Sequence, residues 1–147
     1  MDKLKEKYKA QLGDTPYSTT NISIRWEEMD VNGHVNYANY LSYYSEARID
    51  AVGQDLFLSL RNEGIGPVIY KAELDFVKEM FHPDVAHIIT WVDSIISKTR
   101  VSVKQEMYST NSKELVSKAK FLAIFMNIES RRPVRIPEQI KAKFGFE

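Results

Sequence analysis

The segment with the greatest chemical potential runs Arg25-Trp26-Glu27-Glu28-Met29-Asp30-Val31-Asn32-Gly33-His34-Val35-Asn36-Tyr37-Ala38-Asn39-Tyr40-Leu41. It sets a carboxylate, Asp30, a flexible Gly33 and an imidazole, His34, directly ahead of a stretch whose apolar spacing predicts a helix. The first turn of a helix carries backbone N–H groups without intrahelical acceptors, and these can hold an oxyanion. A carboxylate beside such donors is sufficient apparatus for acyl transfer. The acid attacks or activates water, and the donors steady the tetrahedral charge. The same residue types also shape turns and cap helices, and spacing alone favours that use of Asp30 and Asn32. His34 and the helix tyrosines likewise have ordinary structural uses.

Other chemistries fare less well. Glu46 lies on the same helix, where a surface pair to a cation such as Arg48 or Arg25 is its ordinary use. The chain has no cysteine, which excludes disulfides, thiolate metal sites and cysteine nucleophiles. His34, His82 and His87 are scattered with no His-x-x-x-His pair, so no metal is expected. Lys plus Arg and Asp plus Glu both number 20, and a net charge of zero offers no basic face for nucleic acid. Among the basic residues, Arg131 and Arg132 are the candidates for binding phosphate groups. The amino end mixes charges with no apolar stretch behind it. The longest apolar run, Phe121 to Met126, is too short to span a bilayer. A cytoplasmic protein with neither leader nor anchor is the expectation.

Positioning these residues requires a scaffold, and the 147 residues suit a single domain over their whole length. Residues 1–17 read as a short helix or loose arm before a turn. Ile22, Ile24 and Trp26 alternate with polar residues as a half-buried strand, and Glu27 to Val35 is a loop. Asn36 to Val52 is the one long helix, with apolar residues around so much of it that burial on several sides is expected. Gln54 to Glu63 is a shorter helix stopped by Gly64, Gly66 and Pro67. After Pro67 the chain is strand: Tyr70, Ala72, Leu74 and Phe76 share one face. Val85 to Ile96 follows the His82-Pro83-Asp84 turn, then Val101 to Met107, and Leu115 to Ile128 follows the Thr110–Lys113 hairpin loop. The last strand is apolar on both faces, as if covered on both sides. That feature, with one long helix to do the covering, predicts a homodimer or a dimer of dimers. Arg131 to Pro137 forms an arm ending in a short helix at Glu138 to Lys143. The class is α+β, a sheet on a single helix.

The loop resembles the Asp-x-x-Gly-His-Val-Asn-x-Ala-x-Tyr-Leu segment of the 4-hydroxybenzoyl-CoA thioesterase-like group of hotdog proteins, close to its long-chain acyl-CoA thioesterase branch. Here it stands as Asp30, Gly33, His34, Val35, Asn36, Ala38, Tyr40 and Leu41. Glu73-Leu74-Asp75-Phe76 and Arg132-Pro133-Val134-Arg135-Ile136-Pro137 extend the similarity over nearly the whole chain. The resemblance implies a hotdog fold, a curved antiparallel sheet of about five strands wrapped around one long central helix, in a dimer whose two sheets join. It implies hydrolysis of a fatty or aromatic acyl-CoA by Asp30, as nucleophile or general base, with Glu46 as the fallback because some hotdog thioesterases take their carboxylate from the central helix. It also implies an oxyanion donor at the backbone of about Tyr37, with His34 as the imidazole to assist if any does. Gly33, Val35, Asn36 and Tyr40 would line the substrate, and the CoA phosphates would lie near basic residues at the subunit boundary. No cofactor is implied beyond the CoA of the substrate. Two departures stand out: Glu28-Met29-Asp30 replaces a common Asp-x-Asp, and Tyr37 stands where one bacterial branch has His. The alternatives on the same fold are a 3-hydroxyacyl dehydratase and a non-catalytic acyl-CoA or acyl-carrier binding module.

Overall fold

The computed structural model describes residues 2–147. The elements are α1 (Asp2–Leu12), β1 (Ser18–Ser23), a 3-10 turn (Trp26–Glu28), α2 (Tyr37–Val52), α3 (Gln54–Asn62), β2 (Ile65–Phe76), β3 (Val85–Ile95), β4 (Arg100–Ser109), β5 (Leu115–Asn127) and α4 (Glu138–Lys143). All five strands form one antiparallel sheet in the order β1-β3-β4-β5-β2, so β1 and β2 are its edges. The sheet is curved, with α2 on its inner face, and the fold is the hotdog arrangement implied by the resemblance.

Two apolar clusters join helix to sheet. Tyr40, Tyr44 and Ala47 of α2 pack on Ile88, Met107 and Phe121. Farther along, Ala51 meets Val92, Val101 and Phe125, with Ile140 and Phe144 closing from the carboxyl end. Full burial of such side chains contributes roughly 1.5–3 kcal/mol apiece. Polar ties then fix the helix against the sheet. The Tyr44 hydroxyl donates to Ser117 Oγ at 2.7 Å. Gln105 Nε2 donates to Thr90 Oγ1 at 2.9 Å and to the Tyr44 carbonyl at 3.0 Å.

α2 sits over β1 and β3, toward one side of the sheet. The inward residues Ile69 and Phe76 of edge strand β2 therefore stay exposed, together with Tyr37, Leu41 and Ile49 on the neighbouring side of α2. Coverage on most of the helix circumference, expected from its apolar residues, is not met within one chain. The result is an apolar groove between α2 and β2.

Several boundaries differ from expectation for local reasons. β1 ends at Ser23, and Trp26, expected in that strand, is 77% exposed in the 3-10 turn, where Glu28 Oε1 accepts from the Arg25 N–H at 2.7 Å. β2 begins before Pro67 and runs through it, because an edge strand tolerates a residue with no N–H. The register slips between Ile69 and Lys71, so Tyr70 does not share the inner face with Ala72, Leu74 and Phe76 and instead lies under the Arg100 guanidinium at 5.1 Å. Finally, the outer face of β5 is half-buried at Leu122, Ile124 and Met126, where coverage on both sides was expected. What cover the outer sheet face has comes from α1, whose Leu4 and Tyr8 pack on Ile89, Trp91 and Tyr108.

Candidate active site

Met29 and Val35 form an isolated antiparallel bridge, and the chain between them folds into a tight turn. Gly33 takes φ +77 there, a conformation that a residue with a Cβ adopts at a cost. The Asp30 N–H donates to the His34 carbonyl at 2.6 Å, and the Gly33 N–H to the Asp30 carbonyl at 3.0 Å. Asp30 Oδ1 accepts from the N–H groups of Asn32 at 2.8 Å and His34 at 3.2 Å. Asp30 is thus a turn-shaping residue, as the spacing alone favoured, yet one oxygen does all of that work. Oδ2 accepts no hydrogen bond among the described residues.

The turn is tied to its surroundings on both sides. The Val35 N–H donates to the Met80 carbonyl at 2.8 Å and the Asn36 N–H to the Glu28 carbonyl at 2.9 Å. Asn36 is the N-cap of α2, its side chain accepting from the Ala38 N–H at 3.0 Å. Its carbonyl accepts from Asn39 at 2.9 Å. These bonds leave the Tyr37 N–H without an acceptor among the described residues, at the end of the helix where the dipole is positive.

Asp30, His34, Val35, Tyr37 and Tyr40 line one cavity of about 220 Å³, closed on the far side by Phe76, Val77, Lys78 and Glu79. Tyr40 is buried against Phe76, ring centroids 5.2 Å apart, and burial, with Glu79 nearby, raises its pKa. The Tyr37 ring meets the edge of Phe76 at 6.2 Å, and His34 meets Phe81 edge-on at 4.8 Å. Gly33 and Asn36 shape this wall through the backbone and the cap. The residues from Phe76 to Glu79 were not foreseen as site residues, although the Glu73–Phe76 strand entering a turn was the available signal.

A second, apolar cavity of about 310 Å³ lies under the carboxyl half of α2, with Pro67 and Ile69 of β2 on one side. Its single charged lining residue is Arg48, which was read as a surface partner for Glu46 and is instead turned inward. Its guanidinium lies 4.1 Å over the Phe121 ring and donates to Gln105 Oε1 at 3.0 Å. Burial lowers its pKa to about 10, which leaves it charged at neutral pH. Glu46 is exposed on another side of the helix, near Arg25, with no ion pair among the described residues.

Arg131 and Arg132 are not brought to Asp30 within the chain. They occupy the turn after β5, where the Arg131 N–H donates to the Asn127 carbonyl at 2.8 Å. Asp30 lies by the other end of that strand, roughly 40 Å away at a strand rise of ~3.3 Å per residue. Among the described residues no group of three or more His, Cys, Asp or Glu could hold a metal ion. No described helix is long and apolar enough to cross a membrane.

The family model described as the thioesterase-like superfamily matches residues 24–144. No curated protein matches the sequence. Solved structures do. A DHNA-CoA thioesterase from Staphylococcus aureus is 25% identical, with a TM-score of 0.74 over 81% of this chain and 80% of that one. A 1,4-dihydroxy-2-naphthoyl-CoA thioesterase from Synechocystis is 15% identical, with a TM-score of 0.78 over 88% and 96%. A Staphylococcus aureus protein solved in complex with CoA is 17% identical, with a TM-score of 0.77 over 88% and 82%.

Proposed function

The chain belongs to the thioesterase-like superfamily, and from that premise we propose that it hydrolyses a fatty or aromatic acyl-CoA to the free acid and CoA, with Asp30 as nucleophile or general base. The observation that carries this reading is the division of Asp30. Oδ1 is fixed by two backbone N–H groups, Oδ2 has no hydrogen-bond donor among the described residues, and Asp30 lines the same cavity as Tyr37. As a general base, Oδ2 takes a proton from water while the hydroxide oxygen adds to the thioester carbonyl. The carbonyl oxygen gains the negative charge, which the Tyr37 N–H and the helix dipole stabilise. Collapse breaks the C–S bond, and the thiolate leaves with the proton. As a nucleophile, Oδ2 adds to the carbonyl itself, collapse breaks the C–S bond and expels the CoA thiolate, and water then splits the resulting anhydride into the free acid and the Asp30 carboxylate, its released proton going to the thiolate. Neither route calls for a metal or an organic cofactor.

The acyl group lies in the α2–β2 groove and reaches the apolar cavity under α2. The CoA complex of a structural neighbour supports CoA as the thiol carrier. The unpaired outer edge of β2 and the exposed apolar strip beside it support a homodimer formed there. An antiparallel pairing of two such edges places the Arg131–Arg132 turn of one copy toward the Asp30 end of the other, where it can meet CoA phosphates.

The test is release of free thiol from a panel of acyl-CoA esters by wild type, Asp30→Asn and Glu46→Gln, with and without chelator. The expected result is turnover insensitive to chelator, lowered roughly a hundredfold to ten-thousandfold by Asp30→Asn and little affected by Glu46→Gln. Loss of turnover with Glu46→Gln and its retention with Asp30→Asn would move the carboxylate to the helix.

A further inference from the structure

The apolar cavity has a definite far end. Its walls are Ile49 and Val52 of α2 and Val92, Val101 and Ala123 of the sheet, and Ile140 and Phe144 close it from the carboxyl-terminal segment. Both closing side chains are buried in the same cluster as Val92, Val101 and Ala123. Arg48, the charged group in the lining, is occupied by Phe121 and Gln105, so this end presents hydrocarbon.

The closing segment is held in place at several points. The Val134 N–H donates to the Phe125 carbonyl and the Ile136 N–H to the Lys98 carbonyl, each at 2.9 Å, which lays the arm against the sheet. Lys143 Nζ donates to the Val52 carbonyl at the C-terminus of α2, where a cation meets the negative end of the helix dipole. Gly145 then turns at φ +85 so close to Pro16 that a Cβ would come within 2.8 Å of its ring. A segment tied to the sheet, to α2 and to the loop before β1 is a fixed wall.

We propose that α4 and Phe144 are the end-stop that sets the length of acyl group the protein accepts, Phe144 being a specificity-determining residue. The inference rests on the thioesterase reading for the identity of the ligand. From Tyr40, beside the acid, to Val52 the helix advances about 18 Å at ~1.5 Å per residue. The cavity, at about 310 Å³, is of the size that ligand pockets have. Length is therefore read by how many methylenes fit before Phe144, each buried one being worth about fourfold in affinity or kcat/KM.

The experiment measures kcat/KM for saturated acyl-CoA esters of increasing length with wild type, Phe144→Ala, Phe144→Leu and Ala123→Leu. Binding of non-hydrolysable thioether analogues of the same lengths is measured in parallel. For Phe144→Ala, kcat/KM for the ester two methylenes beyond the wild-type optimum, relative to that optimum, should rise about fifteenfold, as two such steps require. Phe144→Leu should move the optimum the same way by less, and it decides the matter if Phe144→Ala does not fold. Ala123→Leu should shorten the preferred chain. An unchanged optimum in folded Phe144 variants overturns the end-stop, even where wild type hydrolyses the whole series. If instead wild type hydrolyses nothing while analogue binding shifts with Phe144 as stated, the end-stop stands and the catalytic reading falls. Failure of wild type to bind any chain length overturns both.

Discussion

Tyr37→Pro deletes one hydrogen-bond donor and little else. Tyr37 is the first residue of α2, and its N–H has no acceptor among the described residues. Proline suits this position, because its φ is helical and the N–H it lacks would bond nothing within the helix. The preceding residue is already suitable: Asn36 has φ −59 and ψ 132, the extended conformation that proline imposes on its predecessor. The lost phenol is 71% exposed and touches Phe76 edge-on at 6.2 Å, a contact worth about 0.5–1.5 kcal/mol at most. Set against a typical stability of ~5–15 kcal/mol, the variant remains folded. Removal of one oxyanion donor typically costs ~100-fold to 1,000-fold in kcat, about 2.7–4 kcal/mol of transition-state stabilisation. Tyr37→Ala removes the same ring and keeps the N–H, so the ratio of the two variants isolates the donor. Thiol-release kinetics on both, with thermal melts, should show the alanine variant within a few-fold of wild type and the proline variant slower by two to three orders of magnitude. If the proline variant is folded and as fast as the alanine variant, the α2 N-terminus does not hold the oxyanion.

Burial holds the His87 imidazole below its ordinary value of 6.5, so between its folded pKa and 6.5 the unfolded chain binds more protons than the folded one and stability falls as pH drops through that window. His87→Gln should flatten this slope in urea unfolding compared at pH values above and below 6.5, and an undiminished slope would assign the acid sensitivity elsewhere. Light scattering at micromolar concentration should give at least twice the chain mass, and Val68→Asp on the outer edge of β2 should reduce it. A wild-type monomer would refute pairing at that edge.

The elements that carry the scaffold were legible because their signals are local. α3, β3 and α4 fall within a residue of the expected bounds, since Gly and Pro punctuation and period-two or helical spacing mark them. What escaped was non-local. Tyr70 was placed on the inner face because a strict alternation runs through it, and the bulge that displaces it depends on pairing with β5. The sequence offers Arg48 only as one of two possible partners for Glu46. The burial of Arg48 depends on Gln105 of β4 and Phe121 of β5, far along the sequence, offering an amide oxygen and a ring face. The cover provided by α1 was equally hidden, since Leu4 and Tyr8 supply few apolar positions in a charged helix, and their partners lie on β3 and β4.

The candidate acid posed a choice at the level of sequence between a turn residue and a catalyst, and the geometry leaves room for both. A carboxylate has two oxygens, and here Oδ1 takes the structural duty through the Asn32 and His34 N–H groups while Oδ2 has no hydrogen-bond donor among the described residues. The two duties therefore separate by substitution. Asparagine retains a carbonyl oxygen for the two N–H groups, so Asp30→Asn should cost about 1 kcal/mol or less in stability while losing the base. Alanine removes both oxygens, leaving those donors to water and the turn to its backbone bonds and Gly33, so Asp30→Ala should lose the same rate and about 1–2 kcal/mol more stability. For a chain of this size that difference shifts the melting temperature by about 2–8 °C. Equal rates with unequal melting temperatures are the signature of the divided carboxylate. Equal melting temperatures would mean that Oδ1 does not hold the turn, and an asparagine variant much faster than the alanine variant would mean that position, and not basicity, is what Asp30 contributes.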